Sequence, residues 1–183
     1  MSMNRICFIL VFLSVMISCR DNSVSTSSFP KVEFYYLEKS LETMNSINTP
    51  EKFLSHDCLD TVVTDSCSVD SFIRIVDMLI DDSVNNNCDI RVLARIFYSD
   101  SVDKVVCLGG YHGIKVDNVP KKHSPELYEY INKLLYDEDG WRKIIIHYLR
   151  QDGFGDDIDT PEMQTMIDEC MERVRKSGDV YPK

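Results

Sequence analysis

Two runs rich in β-branched and apolar residues, Ile90 to Tyr98 and Lys104 to Leu108, flank Ser99-Asp100-Ser101-Val102. Two such runs around a short polar turn read as an antiparallel hairpin. No other stretch constrains the fold as much, because the apolar face of a hairpin must be covered by another layer. Pairing Tyr98 with Asp103 sets Ile96 opposite Val105 and Ala94 opposite Cys107. That register places Val92, Ala94, Ile96, Val105 and Cys107 on one face. Gly109-Gly110 breaks the run and Gly113 follows. Ile114-Lys115-Val116 reads as a third short strand, closed by Asn118 and Pro120.

The stretches on either side supply the cover. Val32, Phe34 and Tyr36 alternate as a strand does, and a helix is expected over 38–47. Thr49-Pro50-Glu51 has the pattern of an N-cap followed by Pro at the first helical position, opening a short helix over 50–55. Thr61 to Thr64 is β-branched and reads as a strand. Ser68 is expected to cap a helix with Val69, Phe72, Ile73, Val76, Leu79 and Ile80 as its stripe. Ser124-Pro125-Glu126 opens another, with Leu127, Tyr130, Ile131, Leu134 and Leu135 buried. Gly140 punctuates, and Trp141 to Arg150 continues as a further helix, with an edge strand as the alternative. Thr160-Pro161-Glu162 opens the last one, which carries Met163, Met166, Ile167, Cys170 and Val174 and ends at Gly178. The expected class is α+β: a small antiparallel sheet centred on the hairpin at 90–108, with several helices packed on it. Residues 31–183 form a single globular domain, with no internal repeat.

The beginning of the chain has a different character. Arg5 is the only charge before Ile6 to Ile17 (ICFILVFLSVMI), which ends at Ser18-Cys19. A basic start, a short apolar run and a small residue at the cut describe a secretory signal peptide. The run falls short of the roughly 20 apolar residues a spanning helix needs. Met1 to Cys19 resembles the signal and lipobox of bacterial lipoproteins, in which the Cys is acylated and becomes the first mature residue. It departs from that pattern at Met16, where Leu is usual, and at Ile17, in the place of a small residue. The resemblance, nearest to small lipoproteins of Bacteroidetes, implies residues 1–18 as signal, Cys19 as the lipidation site and the cell envelope as the location. Arg20 in place of an Asp retention signal implies the outer membrane, on its periplasmic or outer face. Residues 20–30 (RDNSVSTSSFP) then make a flexible tether that lets the domain stand off the bilayer.

Charge and cysteines narrow the partners. The formal net charge is −10, and the signal removes only the cation Arg5. An acidic surface disfavours nucleic acid, which needs clustered Lys and Arg. It suits solubility, or a basic protein partner. With Cys7 in the signal and Cys19 acylated, Cys58, Cys67, Cys88, Cys107 and Cys170 remain. That odd number in a disulfide-permissive compartment leaves at least one unpaired. A Cys58–Cys67 bridge is one option that spacing cannot decide.

No stretch carries a strong chemical motif. Asp152, Asp156, Asp157 and Asp159, with Glu162, invite a calcium reading. Phe154 stands where an EF-hand would place its second acidic ligand, so a solvated loop favouring the next helix's N-terminus accounts for them more simply. His56-Asp57-Cys58 with Cys67 has metal-ligand types but lacks the tight spacing of zinc sites. Cys107 and His112 would serve as nucleophile and base only if the cysteine left the apolar face of the hairpin. The glycines at 109, 110 and 113 join strands and do not open a helix, so they make a turn and not a phosphate cradle. No Gly-x-Ser-x-Gly, His-Glu-x-x-His or Walker motif occurs. No cofactor is expected. The reading is a lipid-anchored, non-enzymatic protein that binds a basic protein partner, in its specific form an immunity or inhibitor protein against an envelope-targeting toxin. An envelope hydrolase, or a structural subunit of an outer-membrane assembly, is the alternative.

Overall fold

The computed structural model describes residues 30–38, 46–84, 87–110, 112–154 and 158–178. Six strands form one antiparallel sheet: β1 (Lys31–Tyr36), β2 (Leu59–Val63), β3 (Ile90–Phe97), β4 (Lys104–Gly109), β5 (Ile114–Val116) and β6 (Val119–Lys121). Their spatial order is β2-β1-β3-β4-β5-β6. The helices are α1 (Pro50–Leu54), α2 (Ser66–Asp77), α3 (Pro125–Leu135), α4 (Glu138–Leu149) and α5 (Pro161–Ser177). Since β1 is antiparallel to both neighbours, β2 and β3 run parallel with β1 between them and α2 as their connection. The chain is α+β, as its alternating runs imply.

Each helix starts on a side chain that accepts a backbone N–H otherwise left without a partner. Thr49, Ser124 and Thr160 do this for α1, α3 and α5, each followed by Pro. The cap of α2 is Asp65, not Ser68: Asp65 Oδ2 accepts the Ser68 N–H at 2.8 Å, so the helix starts three residues earlier than expected. Ser68 is then inside the first turn, with both its N–H and its hydroxyl bonded to the Asp65 carboxylate. Asp137 caps α4, which takes Gly140 into its first turn, so Gly140 does not separate elements. Helix α2 stops at Asp77, leaving Ile80 exposed outside the stripe. The helix expected over 38–47 falls almost wholly on residues outside those described; Glu38, Ser46 and Ile47 at its ends are not helical.

The hairpin differs from expectation by one residue. Ile96 pairs with Lys104, Ala94 with Val106 and Leu93 with Cys107. Period-two alternation makes a one-residue slip reverse every side chain. Val105 and Cys107 therefore lie on the face opposite Val92, Ala94 and Ile96. The turn decides this: the Asp103 N–H bonds the Ile96 carbonyl at 2.9 Å, while the Asp103 carboxylate accepts the Tyr98 N–H. The strand β6 was not foreseen. Asp117 and Asn118 both hold positive φ, the geometry of a tight two-residue hairpin turn, and swing the chain back along β5.

One face of the sheet carries the main core. Val32, Phe34, Tyr36, Val92, Ala94, Ile96, Val106, Leu108, Ile114 and Val116 meet α2 to α5 there. A smaller cluster on the other face gathers Leu37, Ile47, Phe53 of α1, Cys88, Ile90, Leu93 and Cys107. It covers that face at one end only.

The α2 cap makes a pH prediction. Hydrogen bonds from the Ser68 hydroxyl and N–H hold the Asp65 carboxyl below the usual carboxylate range. A carboxyl lowered in the folded state stabilises above its unfolded value, about 3.9, and loses that contribution as pH falls through the folded value. Asp65→Asn keeps an oxygen for the cap but cannot titrate. Its acid unfolding, followed by circular dichroism below about pH 4, should be shallower than that of the parent.

Candidate functional site

The end of the second sheet face that α1 leaves bare is a pocket of about 590 Å³, inside the usual size range for small-molecule sites. Its floor is strand: Arg95 of β3, Val105 and Cys107 of β4, and Lys115 of β5. The register that reversed β4 is what puts these residues together, since Leu93, Cys107, Lys115 and Pro120 follow one another across four strands. Thr49, Pro50 and Glu51 wall one side, Val102 of the β3–β4 turn a second, and Asp117 with Asn118 a third.

The electrostatics of the floor are unusual for so acidic a chain. Lys115 is only 8% exposed, yet no carboxylate within the described residues forms an ion pair or hydrogen bond with it. Several other cations in the fold are matched, among them Arg91 with Asp89 at 2.7 Å, Lys104 with Asp77 at 2.6 Å and Lys121 with Asp81 at 2.5 Å. Arg95 faces the Tyr35 ring, its guanidinium carbon 5.4 Å from the ring centre. Of the two acids in the lining, Asp117 is engaged, its Oδ1 accepting the Val105 N–H at 2.8 Å. Glu51 is exposed at the rim. Burial, then the neighbouring Cys88, pushes the Cys107 thiol up to about 12, with Lys115 opposing. The floor is therefore a neutral thiol beside two cations.

The residues singled out by sequence are scattered. Cys107 is in the pocket floor, but His112 stands exposed in the 109–113 turn and no hydrogen bond joins the two. A thiol held so far up is no nucleophile near neutrality. That turn is structural: Gly113 has φ +86°, and its carbonyl accepts from the Tyr128 hydroxyl at 3.1 Å. Asp57 is drawn off to the turn that follows α4, where its carboxylate accepts from the Gln151 amide at 2.8 Å. Cys58 is half-buried, Cys67 is exposed, and they are not bonded to each other. Asp152 and Asp159 are exposed, whereas Asp156 and Asp157 lie outside the described residues. Among the described residues, no three His, Cys, Asp or Glu side chains converge as a metal site would require. Cys19 and the segment before it also lie outside the described residues.

Compared with protein-family models, curated proteins and solved structures, the chain matches none. Its function therefore has to be read from the pocket. Sequence reasoning missed Arg95 and Lys115. The available signal was a single charge set between apolar residues within a strand, as in Ile114-Lys115-Val116, which must point away from the core its neighbours join. Among the described residues, no helix is long and apolar enough to cross a membrane.

Proposed function

We propose that the protein is a lipid-anchored envelope protein that works by non-covalent binding, and that the pocket on the bare sheet face is its binding site. The observation that carries this is Lys115, only 8% exposed as a residue, on the floor of a pocket of about 590 Å³ and in no ion pair among the described residues. A lysine with a buried stem whose ammonium opens into a pocket presents that charge to whatever enters. Strand residues make the floor, so the site is preformed.

The anchored location rests on Met1 to Cys19. The tether ending at Pro30 leads directly into β1. The specific form of the proposal is an immunity or inhibitor protein that meets a basic toxin-like partner in the envelope through its acidic surface, outside the cationic floor of the pocket. Small size and a net charge of −10 support it, and association should then slow as salt rises.

A cell assay tests the reading. Val105→Trp fills the pocket from its floor. A strain carrying it should lose fitness or survival under competition as a deletion strain does, at unchanged protein level. Wild-type behaviour of Val105→Trp beside an affected deletion strain would overturn the pocket as the site. Cys19→Ala should release the protein from the membrane fraction; a variant that stays bound overturns the lipid anchor. Unchanged survival of the deletion strain among competitors removes the immunity form.

A further inference from the structure

We infer that the pocket seats a small monocarboxylate, whose anionic end neutralises Lys115 while a short apolar body lies along Val105 and Val102. The inference rests on the pocket being the binding site, and adds the chemical class of its ligand.

The anionic end follows from Lys115. The strand β5 is paired on both sides, to β4 and β6, so the Lys115 backbone is fixed. Ile114 and Val116 go to the main core, which commits Lys115 to the pocket side. Lys115 as a whole is only 8% exposed, and its ammonium, the end that opens into the pocket, has no ion-pair partner among the described residues. Its neighbours offer none: Cys107 is a neutral thiol, and the Asp117 carboxylate is tied to the Val105 N–H. A charge-assisted hydrogen bond from a ligand is what the position lacks.

The single charge follows from the rim. Two cations and two carboxylates line the pocket. A dianion such as phosphate would set its second charge against Glu51 and Asp117. A monoanion matches Lys115 alone, because the Arg95 guanidinium is already partly engaged by the Tyr35 ring. The apolar body follows from Pro50, Val102 and Val105, which line the same pocket as the two cations.

The test titrates the purified full chain at low salt with three probes: sodium hexanoate, neutral hexanamide and inorganic phosphate. Binding is read from backbone amide shifts by NMR. Hexanoate should move the amides of Ile114 to Val116 and Val105 to Cys107 saturably, with hexanamide and phosphate weaker by roughly tenfold or more. Lys115→Met should weaken hexanoate by roughly tenfold while leaving hexanamide unchanged, and Lys115→Arg should retain hexanoate within about threefold. The comparison of hexanoate with hexanamide on the parent chain needs no variant. Equal affinity for these two, tighter binding of phosphate, or undiminished hexanoate binding by a folded Lys115→Met overturns the carboxylate seat. Such a result leaves the wider binding reading to the Val105→Trp cell assay, which uses no probe and fails separately.

Discussion

Tyr136→Ala should lower the melting temperature by about 10 °C or more. Tyr136 is fully buried between two aromatic rings. Its ring centre lies 6.0 Å from that of Tyr36 on β1 and 5.9 Å from that of Trp141 on α4. It thus joins the sheet to the α3–α4 junction. Its hydroxyl donates to the Leu37 carbonyl at 2.7 Å. Truncating a buried aromatic to alanine costs about 3–5 kcal/mol. Leaving the Leu37 carbonyl without its donor adds about 1–3 kcal/mol. At about 2–4 °C per kcal/mol for a domain of this size, the shift is far outside error. Tyr136→Phe separates the two parts and should lose only the hydroxyl contribution, about 1–3 kcal/mol. Thermal melts followed by circular dichroism decide it. A Tyr136→Ala protein melting within a few degrees of the parent would mean the ring is not the keystone of this junction.

Gly140→Ala should be destabilising although Gly140 is inside a helix. Helix propensity alone gives alanine an advantage of roughly 0.8–1.0 kcal/mol over glycine. The tertiary contact reverses the sign. A Cβ at 140 would collide with the carbonyl oxygen of Leu135 and stand 2.7 Å from its carbonyl carbon. Both are backbone atoms of the last turn of α3, so no rotamer change relieves the clash. Moving that turn would disturb Leu135 and Tyr136, both in the main core. Overpacking of this kind costs about 1–3 kcal/mol or more, and we expect a net loss of about 2 kcal/mol. Urea unfolding midpoints give the measurement, with Lys143→Ala, an exposed site on the same helix, as a control expected within about 0.5 kcal/mol of the parent. A Gly140→Ala protein as stable as the parent would show that α3 and α4 approach less closely than described.

What could be read in the sequence was what local chemistry dictates. The pairs Thr49-Pro50, Ser124-Pro125 and Thr160-Pro161 all open helices, because the cap and the fixed proline φ act within one turn. The strands β3, β4 and β5 were legible from their β-branched content. The register of β3 with β4 was not. Val105-Val106-Cys107-Leu108 is apolar throughout, so alternation cannot say which side chains face the helices, and the Asp103 hydrogen bonds of the turn decide instead. The strand β6 escaped because Pro120 suggested an end, whereas a proline is tolerated near a sheet edge. The pocket was hidden for a related reason. Lys115 and Arg95 matter only because α1 is too short to cover the face they occupy, and no local pattern reports how far one helix reaches.

The position of β1 also fixes an order of events. Its register with β3 joins Tyr36 to Val92 and Lys31 to Phe97, closing a loop of roughly 60 residues, whereas β3 to β6 are joined by turns of a few residues. Long-range pairing of this kind slows folding. One edge of β1 can pair early with β2, but the other must wait, open, until β3 has followed, about a third of the chain later. The meander β3-β4-β5-β6 can form beforehand from local contacts. The centre of the finished sheet is then the last seam to close, and the interval before it closes is when the chain most needs protection from aggregation.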